Sequence, residues 1–294
     1  MVPAANAGAL PGGDIPGVDL RARTWWRGPV GETLLDVGDG VELCVETFGR
    51  PDDPTVLLVA GAAQSMVWWE TAFCRRLAAG GRHVVRYDHR ETGRSTTSPA
   101  GRSLGPAADL AEDPATILGA LDVGAAHVVG LSLGGGLARV LAVRHPALVA
   151  TLTLVATTAA GPGDGTPLPG PSAAVVEAAE HPPPDPDWSD RDAVLAHRVD
   201  VERPCAGALG FDEARVRRLA GLELDRTADP AASLANHLLL ADDPWPDGAT
   251  LADVGARTLV LHGTTDPVFP LEHGRALARR LPRAALVELP GAGH

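Results

Sequence analysis

The 294 residues contain no lysine, and cysteine (3), methionine (2), tyrosine (1) and phenylalanine (4) are scarce. The missing lysine is a matter of composition and carries no mechanistic weight. Positive charge is short overall, 25 arginines against 37 aspartates and glutamates, for a net charge of −12. That balance excludes a nucleic-acid binder, which needs a basic face to neutralise phosphates. Cys44, Cys74 and Cys205 are too few and too scattered for a disulfide framework or a zinc site, so a reducing compartment is the expectation. The first 20 residues lack both a basic start and an uninterrupted apolar core, unlike a signal peptide. The longest apolar run, residues 56–63, is far short of a membrane span. A soluble cytoplasmic protein with no membrane or nucleic-acid partner is therefore expected.

What the chain does have is enough apolar sequence, 45%, for a sizeable core. Residues 1–30 are rich in Gly, Pro and Ala without periodicity and read as a flexible N-terminal arm, with Trp25 and Trp26 anchoring it. From residue 31 short apolar runs alternate with turns. ETLLDV and VELCVETF flank Gly38-Asp39-Gly40 as a β-hairpin. TVLLVA (55–60), HVVRY (83–87), HVVGL (127–131), TLTLVA (151–156), TLVLH (258–262) and ALVEL (285–289) read as strands buried on both faces. Helix-length segments lie between most of them: 67–79, 107–121 interrupted at Pro114, 133–144 and 273–280. Strand alternating with helix predicts an α/β fold, a mostly parallel eight-stranded sheet with helices on both faces.

Residues 161–248 break the rhythm. They hold 12 of the 26 prolines and no buried strand, but apolar residues recur at helical spacing over 192–201, 212–224 and 231–240. A helical cap insertion between two parts of one core, 31–160 and 249–294, fits better than a structureless loop of that length.

Chemistry concentrates in Gly130-Leu131-Ser132-Leu133-Gly134, directly after one strand and directly before a helix. A sharp strand-to-helix turn with serine at its apex needs small neighbours, and it presents Oγ at the sheet's carboxyl edge. No GxGxxG opens the helix, so a dinucleotide site is excluded. Serine needs a base to remove its proton. His294 follows the last strand through a Gly-rich turn at the same edge. Asp266, just past TLVLH, is the acid that would orient the imidazole, with Asp164 as a competitor in a Gly/Pro-rich loop. The backbone N–H groups of Leu133 and Ala62 are placed to bind an oxyanion. Trp68 and Trp69 are candidates to line an apolar pocket, with core packing the alternative. His89 reads as structural, and the ten histidines form no HExxH or other metal pattern, so no metal and no cofactor are expected.

GLSLG resembles the nucleophile elbow of the α/β-hydrolases. Tyr87-Asp88-His89-Arg90-Glu91-Thr92-Gly93-Arg94-Ser95 resembles that family's DxRGxGxS segment, and GTTDPVFP and PGAGH resemble its acid and histidine loops. Within the family, YDHRETGRST with HVVGLSLGG is similar to the aclacinomycin methylesterase group, which cleaves a methyl ester on an anthracycline polyketide. The resemblance implies a serine hydrolase acting on a small apolar ester without a cofactor. A proline-iminopeptidase-like or cofactor-free haloperoxidase-like hydrolase, or a weakly active ligand-binding relative, are the alternatives. Ala60-Gly61 stands where the family has His-Gly, and Glu91 stands where it has glycine. The family usually adds a helix after the histidine loop, whereas this sequence stops at His294. The reading therefore includes a missing C-terminal helix and weak activity.

Overall fold

Gly38, Asp39 and Gly40 all have positive φ, at 104°, 51° and 76°. Glycine takes that conformation freely and aspartate does so at modest cost. In the computed structural model, which describes residues 31–161, 167–239 and 244–294, this turn joins β1 (Glu32–Gly38) to β2 (Val41–Phe48) as an antiparallel hairpin. The first 30 residues, Trp25 and Trp26 among them, lie outside the described residues, as does Asp164.

Six further strands complete the sheet: β3 (Thr55–Val59), β4 (His83–Tyr87), β5 (Ala126–Leu131), β6 (Val149–Val155), β7 (Arg257–Gly263) and β8 (Ala284–Leu289). Their order is β1-β2-β4-β3-β5-β6-β7-β8. β2 runs antiparallel to β4, and all pairs from β4 through β8 are parallel. The crossovers are α1 (Thr71–Ala79), α2 (Ala107–Ala120), α3 (Leu133–Arg144) and α8 (Glu272–Arg280). β3 shows why its sequence is continuously apolar. Leu57 and Val59 enter the cluster built with α2, α3 and α8, while Val56 and Leu58 enter the one built with α1. Leu57 and Leu58 are both fully buried, each contributing about 1.5–3 kcal/mol. β8 differs from the expectation of burial on both faces: Val287 is 45% exposed, because β8 is the last strand in the order.

The topology also contains a switch point. β3 is flanked by β4 on one side and β5 on the other, so the segments leaving its carboxyl end and that of β5 diverge. Crevices form at such switch points in open α/β sheets.

Two helices depart from the sequence pattern. The segment 67–79 is split into a single 3₁₀ turn, Met66–Trp68, and α1, because the Trp69 carbonyl accepts from the Arg86 guanidinium instead of continuing a helix. α2 runs through Pro114 without interruption. The lost N–H costs one bond, and buried Leu110, Ala111, Ile117 and Leu118 hold the helix in place.

Between β6 and β7 stand α4 (Ala173–Glu180), α5 (Arg191–Glu202), α6 (Glu213–Leu224) and α7 (Pro230–Ala235), the last followed by a 3₁₀ turn. α5 and α6 start where Asp190 and Asp212 accept first-turn amides. α4 shows no apolar periodicity in sequence because it has no buried residue. These helices, called the cap below, are tied to the sheet first by Arg226. Arg226, just past α6, pairs with fully buried Asp88 and donates to Glu32 Oε1 at 3.0 Å. Asp88 also accepts from Met66 N at 2.7 Å and Arg94 N at 2.9 Å. Among the described residues no helix is long and apolar enough to cross a membrane.

Candidate active site

Ser132 sits between β5 and α3 at φ 52°, ψ −116°, a conformation that costs a non-glycine residue of order 1–3 kcal/mol. The neighbours make it possible. A Cβ on Gly130 would lie 2.7 Å from Gly135 Cα, and one on Gly134 would lie 2.8 Å from the Val59 carbonyl carbon, so only glycine fits either position. The turn is then clamped: Ser132 N donates to Val155 O at 3.0 Å, and Thr157 Oγ1 donates to Ser132 O at 2.8 Å.

His294 and Asp266 converge on this serine from two other strand ends. His294 Nε2 is 2.9 Å from Ser132 Oγ, and His294 Nδ1 is 3.0 Å from Asp266 Oδ2. An ionised carboxylate only accepts, so Nδ1 carries the proton and Nε2 presents a lone pair to the serine hydroxyl. Burial alone would raise the pKa of Asp266. The hydrogen bond and charge of His294, with the Phe269 and Val268 amides on Oδ1 at 2.9 Å each, bring it below the usual carboxylate range instead. The Phe269 ring meets the imidazole edge-on at 5.4 Å between centroids. Buried His262 braces the acid loop by donating from Nε2 to Phe269 O at 2.7 Å, and lies 3.5 Å from Asp266 Oδ2. Such an arrangement can draw a proton from Ser132 and hold the resulting imidazolium.

The two residues whose amides the sequence offers as oxyanion donors lie in the turns after β5 and β3. Leu133 N opens α3. Ala62 is exposed, while its neighbours are engaged: Gly61 N donates to Gln64 Oε1 at 3.2 Å and Ala63 N to His237 Nδ1 at 2.9 Å. The cap shapes this turn. Arg198 donates to Ala63 O at 2.9 Å, and Glu223 Oε1 accepts from Ser65 N at 2.7 Å and Trp68 Nε1 at 3.0 Å. Arg198, Glu223 and His237 carry no sequence signal, since their partners are 135–174 residues distant.

His237 and His89 are both buried, and both must stay neutral. His237 accepts at Nδ1 and donates from Nε2 to Arg90 O at 2.9 Å; His89 donates from Nε2 to Ala60 O at 3.0 Å. Burial lowers the pKa of His237 and, with the neighbouring His237, takes that of His89 down to about 3. Depressed folded-state values mean that the unfolded chain binds the protons first. Stability from these rings is therefore complete above pH ~6.5 and is lost as pH falls, at up to about 1.4 kcal/mol per unit for each ring. Melting temperature should be flat from pH 8 to 7 and decline toward pH 4. His237→Asn, which retains an acceptor but does not titrate, should show a shallower decline; equal slopes would contradict this assignment.

Of the remaining residues, Trp68 lies under the Arg198 guanidinium, 4.9 Å from it, and faces the cap. Trp69 packs on Phe73 and the cluster beneath α1. Glu91 keeps the left-handed backbone of the glycine it replaces, at φ 73°. Its carboxylate accepts from Ser98 N, Leu104 N and Asn236 Nδ2 at 2.9, 2.7 and 3.0 Å, tying the loop to the cap. A cleft of about 320 Å³, open to solvent, lies within the cap between Val194, Leu195, Ala220 and Leu234, with Arg198 and Glu223 in its wall; Ser132, Asp266 and His294 are not part of its lining. Glu177, Glu180 and His181 form an exposed group of ligand-type side chains on α4.

Residues 54–294 match the profile of the alpha/beta hydrolase fold family. Rhodomycin D methylesterase DauP of Streptomyces sp. (strain C5) is 33% identical over 276 residues, covering 89% of this chain and 92% of that protein. Rhodomycin D methylesterase DnrP of Streptomyces peucetius is 32% identical over 278 residues, with coverage of 89% and 92%. Among solved structures, the esterase RhEst1 from Rhodococcus sp. ECU1013 superposes with a TM-score of 0.70 at 23% identity, over 90% of this chain and 92% of that one. That likeness shows the fold.

Proposed function

The chain belongs to the alpha/beta hydrolase fold family, and on that premise we propose that it is a serine hydrolase that cleaves the methyl ester of a bulky aromatic substrate. The observation that carries this reading is the unbroken relay from Asp266 to His294 to Ser132, at 3.0 and 2.9 Å. Ser132 Oγ attacks the ester carbonyl while its proton passes to His294 Nε2. The carbonyl oxygen becomes an oxyanion facing the Leu133 and Ala62 amides. Collapse of the intermediate breaks the bond to methoxide, which leaves as methanol with the proton from His294. Water, deprotonated by the same imidazole, then frees the acid and restores Ser132. No step needs a cofactor.

The methyl-ester assignment is supported by the two rhodomycin D methylesterases, similar over nine-tenths of their length. Two measurements test the reading. The protein should turn over p-nitrophenyl acetate and take one equivalent of an organophosphonate on the peptide holding Ser132. Methyl esters of polycyclic aromatic acids should then show higher kcat/KM than amino-acid amides. Neither turnover nor labelling would make it a binding protein, and preference for an amino-acid amide would make it an aminopeptidase.

A further inference from the structure

His294 is held by more than its relay partners. Its own N–H donates to Cys205 O at 3.0 Å, and Leu209 N donates to Gly291 O at 2.9 Å. Ala208 N donates to Thr265 Oγ1 at 2.9 Å, and that hydroxyl donates to Ala292 O at 3.0 Å. Residues 205–209, the cap segment between α5 and α6, thus bond to the loop carrying His294 at both ends. In the middle they reach the residue beside Asp266. Between these bonds two backbones touch. A Cβ on Gly207 would stand 2.6 Å from the Ala292 carbonyl carbon and from Thr265 Oγ1, and closer still to Gly293 N. A Cβ on Gly293 would stand 2.5 Å from Cys205 O and closer to Gly207 N. Gly263, on the opposite side, leaves no room either, since its Cβ would meet the Ala292 carbonyl carbon at 2.7 Å. Gly207 is not in the left-handed region, so a side chain there is opposed by space alone.

We infer that residues 205–209 are a positioning clasp for the histidine loop, and that Gly207 sets how closely the clasp closes; this rests on the reading of His294 as the base. The physical case is one of tolerance. A base must stay within roughly half an ångström of its working geometry, and the 291–294 turn is short and glycine-rich, closed by Ala292 N on Leu289 O at 3.2 Å and tied to the acid loop by Gly291 N on Thr264 Oγ1 at 2.8 Å and Thr265 N on Ala292 O at 3.1 Å. To these bonds the 205–209 segment adds Cys205 O and Leu209 N directly, Ala208 N through the Thr265 hydroxyl, and a backbone contact that only glycine permits. Cap and base are thereby one mechanical unit. Anything that displaces the 205–209 segment displaces the imidazole from Ser132.

Gly207→Ala tests this. A methyl group pressed on Gly293 should shift the loop by an appreciable part of an ångström and lower kcat about 10²-fold, with KM nearly unchanged. The low-field proton resonance of His294 Nδ1–H, bonded to Asp266 in the wild type, should be lost or moved. Thr265→Val, which deletes the bonds to Ala208 N and Ala292 O, should lower kcat about tenfold, and Thr265→Ser, which retains the hydroxyl, should restore it. The Thr265 pair decides the matter if Gly207→Ala does not fold. Folded Gly207→Ala and Thr265→Val proteins with wild-type kcat and wild-type resonance overturn the clasp, as does a loss of melting temperature with kcat and resonance intact. Wild-type protein that neither turns over ester nor takes the phosphonate refutes the hydrolase reading instead. In that case a resonance altered by Gly207→Ala still supports the clasp, and an unaltered one overturns it.

Discussion

Ser132→Ala should lower kcat/KM for a p-nitrophenyl ester by about 10⁴- to 10⁶-fold, the range lost with a nucleophile in related serine hydrolases. The substitution removes one oxygen, whose hydrogen-bond partner among the described residues is His294. Alanine meets the same backbone demand as serine at φ 52°, so the elbow and the fold should be unchanged by circular dichroism. The Leu133 and Ala62 amides survive, and the residual rate measures what they contribute by themselves. A folded, contamination-free Ser132→Ala protein with near wild-type turnover would remove Ser132 from the chemistry.

The second large effect is at the acid. Asp266→Asn should cost about 10⁴ in kcat, and the reason is a tautomer, not a lost contact. The Val268 and Phe269 amides require an acceptor at Oδ1, so the asparagine oxygen must face them and its NH₂ must face His294. An NH₂ group donates, so His294 Nδ1 must accept, which moves the imidazole proton to Nε2. That nitrogen can then no longer take the proton of Ser132. The same substitution at Asp164 should leave kcat near wild type. If Asp164→Asn proved the more damaging of the two, the acid would belong to the earlier loop.

The sheet was legible because its strands obey a rule that leaves little freedom. A strand packed by helices on both sides must be apolar at every position, as in β3, where successive residues serve different clusters. Where that rule lapses, so does the reading: β8 has the same composition and lies at an edge, and α4, with no buried face, left no periodicity to find. The 66–79 segment misled because the Arg86 guanidinium intercepts a carbonyl from 17 residues away, a contact no local pattern encodes. Ser132, Asp266 and His294 could be named because each sits one turn beyond a strand that composition reveals. The cap side chains that shape the Ala62 turn could not, because a buried Arg198 or Glu223 has the same letter as a solvated one. Glu91 is the sharpest instance. It violates the family's glycine pattern, and only the structure supplies the compensating donors, Ser98 N, Leu104 N and Asn236 Nδ2.

The Arg226 bridge bears on how the chain acquires its shape. Asp88 is buried beneath the cap and shares a guanidinium with Glu32, partners 138 and 194 residues from Arg226 in sequence. A half-folded species with the sheet formed and the cap undocked would leave Asp88 and Glu32 without their shared guanidinium, and losing one partner of a buried pair costs about 3–5 kcal/mol. Sheet and cap are therefore energetically coupled, although the helices between β6 and β7 look detachable in sequence. Loop closure over such separations is slow, and long-range pairing of this kind retards folding. The same bridge thus couples docking of the cap to the meeting of residue 226 with residues 32 and 88.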